Sequence, residues 1–140
     1  MTAVDTNVLV ALLKGNEAFS LLAEKALNHA LAAGGVVISA PVWSELRAFP
    51  ARDEGMLEEF LSLREIRIDW VLEEPVWRLA GRAFQEFNLR RRRSSATDTS
   101  RRMLTDFLIG AHAVANGHAL LTLDKRHYQA AFPRLQLLTF

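Results

Sequence analysis

Short apolar runs alternate with stretches of helical period along this chain, and that alternation leaves few folds open to it. Met1–Asp5 reads as a short buried strand, Val36-Val37-Ile38 as a second and Ile66-Arg67-Ile68 as an exposed edge strand. Ala119–Leu123 and Leu135–Leu138 read as two more. Helix patterns fill the intervals. One begins after Thr6-Asn7; another covers Asn16–Ala33, with Phe19, Leu22, Ala23, Ala26, Leu27 and Ala30 on one face. Gly34-Gly35 stops it. Ser39 and Pro41 then mark a helix start carrying Val42, Trp43, Leu46 and Phe49, which Pro50 limits. Further helices are expected over Asp53–Leu63, from Glu73 toward Leu89, from Thr105 to Asn116 before Gly117, and over Lys125–Ala131. Strands separated by helices predict an α/β fold with a mostly parallel sheet covered on both faces. The 140 residues suit a single domain spanning 1–140 with a normal core.

Four acids stand where this chain turns between strand and helix: Asp5, Glu45, Asp106 and Asp124. Asp5 and Asp124 are expected to end their strands, and Glu45 and Asp106 to lie in the first turns of helices that start on the same side. In a parallel sheet, groups beyond the carboxyl ends of the strands come together although they are distant in sequence. Three or four gathered carboxylates repel one another unless cations hold them, which points to hard divalent metal ions. Asp106 at a helix start is also favoured by the helix dipole, so taken alone it has a structural explanation.

Composition narrows the chemistry. There is no cysteine, which excludes disulfides, thiolate zinc sites and cysteine nucleophiles. The apolar run Val8–Leu13 lacks a basic flank and is too short to span a bilayer, so no membrane role and a cytoplasmic location are expected. The net charge of +1 hides an asymmetry: residues 90–102 hold six arginines and one aspartate, +5, leaving −4 for the remainder. Arginine's planar fork suits phosphate, so Arg90, Arg91, Arg92 and Arg93 suggest a polyanionic partner. A solvated charged loop explains the charge equally well.

The segments Ala3-Val4-Asp5-Thr6-Asn7-Val8-Leu9, Ser44-Glu45-Leu46, Asp106-Phe107-Leu108-Ile109-Gly110-Ala111-His112-Ala113 and Leu121-Thr122-Leu123-Asp124 resemble, in this order, the PIN-domain ribonucleases. The similarity is greatest to the VapC-type toxins of prokaryotic toxin–antitoxin pairs. The resemblance implies a PIN-like three-layer α/β/α fold and a metal-dependent endoribonuclease using Mg²⁺ or Mn²⁺. It also implies a homodimer and a cognate VapB-like antitoxin that occludes the site. Carried onto this chain, the acidic set is Asp5, Glu45, Asp106 and Asp124. Thr6 and Asn7 match the small polar residues after the first acid, and Thr122 the hydroxyl residue two positions before the last. The arginine run is denser than the family pattern, and its role is not inherited.

Phosphodiester hydrolysis needs an activated water and charge relief on the leaving oxygen, which one or two Mg²⁺ ions supply. Asp5 and Asp106 are expected to ligate most directly, with Glu45 and Asp124 acting through waters or a second ion. Some of these acids can instead orient the attacking water, and sequence does not divide these roles. Thr6 and Thr122 fit either substrate contacts or turn capping, and Asn7 a backbone tie near Asp5. Asp69 at a sheet edge and Asp98 in a Ser/Thr-rich loop are left outside the set. His112 lies about 240° round the helix from Asp106 at the ~100° step, and so faces away from it. His127 is expected to be an exposed bystander; Trp43 and Trp77 are assigned to the core, while Trp70 stays open as a base-stacking residue. An aspartyl phosphatase is disfavoured, because Asn7 stands where a second aspartate is needed. The remaining alternative is a non-catalytic RNA-binding module using Arg90–Arg93.

Overall fold

A computed structural model describes residues 1–15, 17–49, 53–93 and 104–140. The elements run β1 (Thr2–Val4), α1 (Thr6–Leu13), α2 (Glu17–Ala33), β2 (Val36–Ser39), α3 (Ala40–Arg47), α4 (Glu54–Leu63) and β3 (Ile66–Asp69). They continue with α5 (Glu74–Arg93), α6 (Leu104–Ala115), β4 (Ala119–Leu121), α7 (Lys125–Ala131) and β5 (Leu137–Leu138). Among these residues five strands form one sheet in the order β3-β2-β1-β4-β5, and every pairing is parallel. Each crossover must therefore pass over a face of the sheet, which is what the intervening helices do.

Every residue of β1 and β2 is buried. Successive strand residues point to opposite faces, so both faces at the sheet centre are covered, giving the α/β/α layering. By contrast, β3 is buried at Ile66, exposed at Arg67 and half-buried beyond, as its edge position requires. The register places Ala3 beside Val37 and Leu120, so the chain leaves β1, β2 and β4 at nearly the same level.

Local chemistry sets the helix ends. Asp53 caps α4 by accepting the Met56 amide at 2.8 Å. Gly34 and Gly35 close α2 at φ of 151° and 102°, values that favour glycine. Gly110 lets α6 approach Phe132: a Cβ there would lie 2.2 Å from the ring. Phe107 is fully buried, stacked on Phe84 at 4.7 Å and tilted against Phe87 at 5.6 Å, which locks α6 to α5. Burying such a ring contributes roughly 1.5–3 kcal/mol.

Several expectations need correction. On α2 only Ala23, Leu27 and Ala30 are buried, while Phe19 and Leu22 stand 49% and 44% exposed, because no described element covers their side of the helix. Trp77 is 51% exposed: Val76, Ala80 and Ala83 form the buried stripe of α5, and the indole N–H donates to the Leu72 carbonyl at 3.0 Å. The same helix does not stop near Leu89 but continues through Arg93, since arginine is a good helix former and cations suit the negative end of the dipole. Pro50 and the Ser94–Ser100 segment lie outside the described residues.

Candidate active site

At the carboxyl edge of the sheet, β1 delivers Asp5. Its amide donates to the Leu121 carbonyl, continuing the ladder to β4, and its extended φ/ψ of −76°/151° makes it the N-cap of α1. The carboxylate is held at both oxygens: Oδ1 accepts the Thr6 amide at 2.8 Å and Oδ2 accepts the Thr122 hydroxyl at 2.8 Å. Thr122 Oγ1 in turn accepts the Asp124 amide at 2.9 Å, so one hydroxyl links the first and last acids. Asn7 Oδ1 accepts the Leu123 amide at 3.2 Å and ties the same two loops together. The third acid comes from α3, where Glu45 lies in the second turn rather than the first. It reaches the site because the Thr6 hydroxyl donates to its Oε1 at 2.6 Å. Asp106 sits in the first turn of α6, and Asp124 stands at the N-cap of α7.

Asp5, Glu45, Asp106 and Asp124 all line one cavity of about 470 Å³, together with Thr6 and Asn7 and an apolar wall that includes Val10 and Phe49. Two of the acids are displaced there. Burial raises Asp5 from the ordinary 3.8 to about 6, Asp106 adds repulsion, and the Thr122, Tyr128 and Thr6 donors oppose the rise. Glu45 is also raised, by burial first and by Asp106, against the Thr6 hydrogen bond. The upward displacement of Asp5 and Glu45 marks a site that holds negative charge at an energetic cost.

Tyr128 joins this group without having been marked by the sequence. It is 1% exposed, and burial and the Asp5 charge push its phenol far above the ordinary range. Its hydroxyl approaches Asp5 closely enough to favour the carboxylate, although no hydrogen bond of good geometry closes between them. The available signal was its position four residues after Asp124, on the same face of α7.

Other residues fall elsewhere. Arg90, Arg91, Arg92 and Arg93 form the last turn of α5, outside the acidic cavity. Asp69 is engaged by the buried His112, whose Nε2 lies 2.9 Å from Asp69 Oδ2 and away from the cavity. Asp98 lies outside the described residues. His127 is buried rather than exposed, edge-on to Phe107 at 5.2 Å, because α7 turns that face inward against α5 and α6. Trp43 is half-buried on the core and meets the exposed Trp70 edge-to-face at 5.3 Å.

The carboxylate and hydroxyl donors of the cavity suit a hard divalent cation. Among the described residues no three acidic or histidine side chains close into a group that could hold a metal ion. No described helix is long and apolar enough to cross a membrane.

No curated protein matches the chain in sequence. Solved structures do match it in fold. VapBC2 from Rickettsia felis, bound to a DNA fragment from its promoter, aligns at a TM-score of 0.68 and 20% identity, over 99% of this chain and 98% of that one. VapBC-1 from nontypeable Haemophilus influenzae aligns at 0.67 and 17%, over 99% and 96%. FitAcB from Neisseria gonorrhoeae aligns at 0.64 and 21%, over 99% and 96%. The family model for the PIN domain matches residues 2–133, and the chain belongs to the PIN-domain family.

Proposed function

We propose that this chain is a single-domain, metal-dependent endoribonuclease of the VapC toxin type, cytoplasmic and homodimeric, neutralised by a cognate antitoxin. The observation that carries the reading is the single cavity lined by acids that four different elements position: Asp5, Glu45, Asp106 and Asp124. Membership of a family of nucleases supports hydrolysis. The VapBC and FitAcB structures whose fold it shares support a protein partner of antitoxin type.

In this reading Asp5 and Asp106 would hold Mg²⁺ or Mn²⁺ directly, and Glu45 and Asp124 would act through waters or a second ion. A divalent ion held there would supply Lewis-acid polarisation, an activated water and charge relief on the leaving oxygen. The chain's own residues prepare the site for it. Thr122 and the Thr6 amide fix both oxygens of Asp5, and the Thr6 hydroxyl aims Glu45. Tyr128 and the aromatic packing behind Asp106 keep bulk water from the inner side of the carboxylates.

The test is RNA cleavage with Mg²⁺ or Mn²⁺ present. Asp5→Asn and Asp106→Asn should each abolish it, and full activity in EDTA would refute the assignment. The RNA-binding alternative predicts the opposite for the acids: Asp106→Asn would keep the biological effect.

A further inference from the structure

Without metal, a cavity lined by four carboxylates repels the polyanion it is proposed to cut, so attraction then has to come from elsewhere on the surface. The four consecutive arginines of α5 are the obvious source, but consecutive helical residues step by about 100° and fan around the axis, so they cannot all face one strand. The structure divides them. Arg91 and Arg92 line a groove of about 630 Å³ along α5, together with Gln85 and Asn88. Gly81, Gln85, Asn88 and Arg92 follow at helical spacing and form one stripe, with Phe84 and Leu89 adding apolar surface. Arg90 and Arg93 are not among the described residues that line it, and neither is any carboxylate.

The helix that carries this groove packs against α6 and α7, at whose starts Asp106 and Asp124 stand. The Arg91 guanidinium lies over the Phe87 ring at 5.8 Å, within cation–π range, which restricts its orientation. Phe87 packs on Phe107 at 5.6 Å and faces His127 at 6.3 Å. Phe107 directly follows Asp106, and His127 belongs to the helix that Asp124 opens. The last turns of α5 therefore lie against the starts of both helices that carry those acids. Two guanidinium forks suit phosphate oxygens, and the two amides offer donors and acceptors to a phosphate, a 2′-hydroxyl or a base edge.

We propose that Arg91 and Arg92, with Gln85 and Asn88, form a phosphate-binding subsite that holds single-stranded RNA alongside the acidic cavity. The choice of RNA rests on the endoribonuclease reading above. The experiment is a fluorescence-anisotropy titration of the full chain with a labelled oligouridylate in EDTA, repeated over about 50 to 200 mM salt. Arg91→Gln/Arg92→Gln should weaken binding on the order of tenfold and reduce the log–log salt slope by ~1.4, at ~0.7 per phosphate contact on a single strand. Arg90→Gln/Arg93→Gln removes the same charge and should change the slope by less than half as much. Equal slopes for wild type and Arg91→Gln/Arg92→Gln overturn the subsite, and so does an equal loss in both double variants, which would reflect net charge alone. A surface that loses only a polyglutamate peptide and keeps RNA belongs to an acidic protein partner, and that outcome also overturns it. Should Arg91→Gln disturb the packing on Phe87, lowering the melting temperature, Arg92→Gln leaves that packing alone; it should reduce the slope by ~0.7, Arg93→Gln by less than half as much, and equal slopes for the two overturn the subsite. Binding is read without metal, so the two readings fail separately. Retained binding with no cleavage in Mn²⁺ refutes the nuclease alone, and an unchanged slope in a protein that cuts refutes the subsite alone.

Discussion

Replacing Asp5 by asparagine should make the metal-free protein more stable above neutral pH while abolishing its proposed activity. Burial, with repulsion from Asp106, carries the folded carboxyl from 3.8 to about 6. That displacement of about two pH units, at ~1.36 kcal/mol each, disfavours the folded ionised state by about 3 kcal/mol. The sign follows from proton counting. Between about pH 4 and 6 the folded chain holds a proton that the unfolded chain has released, so stability falls as pH rises through that window and the deficit is complete above it. The carboxamide of Asp5→Asn cannot ionise and escapes the deficit. It keeps an oxygen for the Thr6 amide but loses the second acceptor now used by Thr122, at a cost of about 1 kcal/mol. The balance is a gain of about 2 kcal/mol at pH 8, or roughly 6 °C in melting temperature for a chain of this size. Thermal melts in EDTA at about pH 4.5 and 8 measure it, and the advantage should vanish at the lower pH, where Asp5 is protonated in the folded chain. A variant less stable than wild type at pH 8, or a difference that ignores pH, would refute the reasoning.

Millimolar Mg²⁺ should raise the melting temperature of the wild type near neutral pH, by about 1.4 kcal/mol at ten times the dissociation constant, and leave Asp5→Asn unmoved; equal shifts in both would place the ion elsewhere. Thr122→Val removes the donor to Asp5 and the acceptor of the Asp124 amide, and urea titration should register a loss of about 1–3 kcal/mol. Gly110→Ala drives a methyl group into the Phe132 ring and should cost about 1–3 kcal/mol. An unchanged denaturation midpoint for that variant would mean that the α6–Phe132 contact relaxes freely.

Hydrophobic period and turn chemistry made much of the architecture legible in advance. β-branched Val36-Val37-Ile38 between Gly34-Gly35 and Ser39 reads only one way, and α7 was found at its expected limits. The four acids were legible too, because each sits beside an apolar element whose direction is set by the parallel topology. The errors share a cause. Trp77, Phe19, Leu22 and His127 were placed by local pattern, yet whether a helical face is buried depends on the neighbour that covers it.

The sequence by itself determined the alternation of strands and helices and the absence of thiol chemistry, and it singled out the four acids that line one cavity, since these follow from residue type and short-range spacing. Only the tertiary structure decided how those acids are held. The Thr6–Glu45 and Thr122–Asp5 bonds join residues 39 and 117 positions apart, and the burial of Tyr128 beside Asp5 depends on how α7 packs. The division of Arg91 and Arg92 from Arg90 and Arg93 likewise depends on the rotation of α5 against α6 and α7. Hydrogen bonds and desolvation act through space over a few ångströms, and the distance along the chain does not enter them.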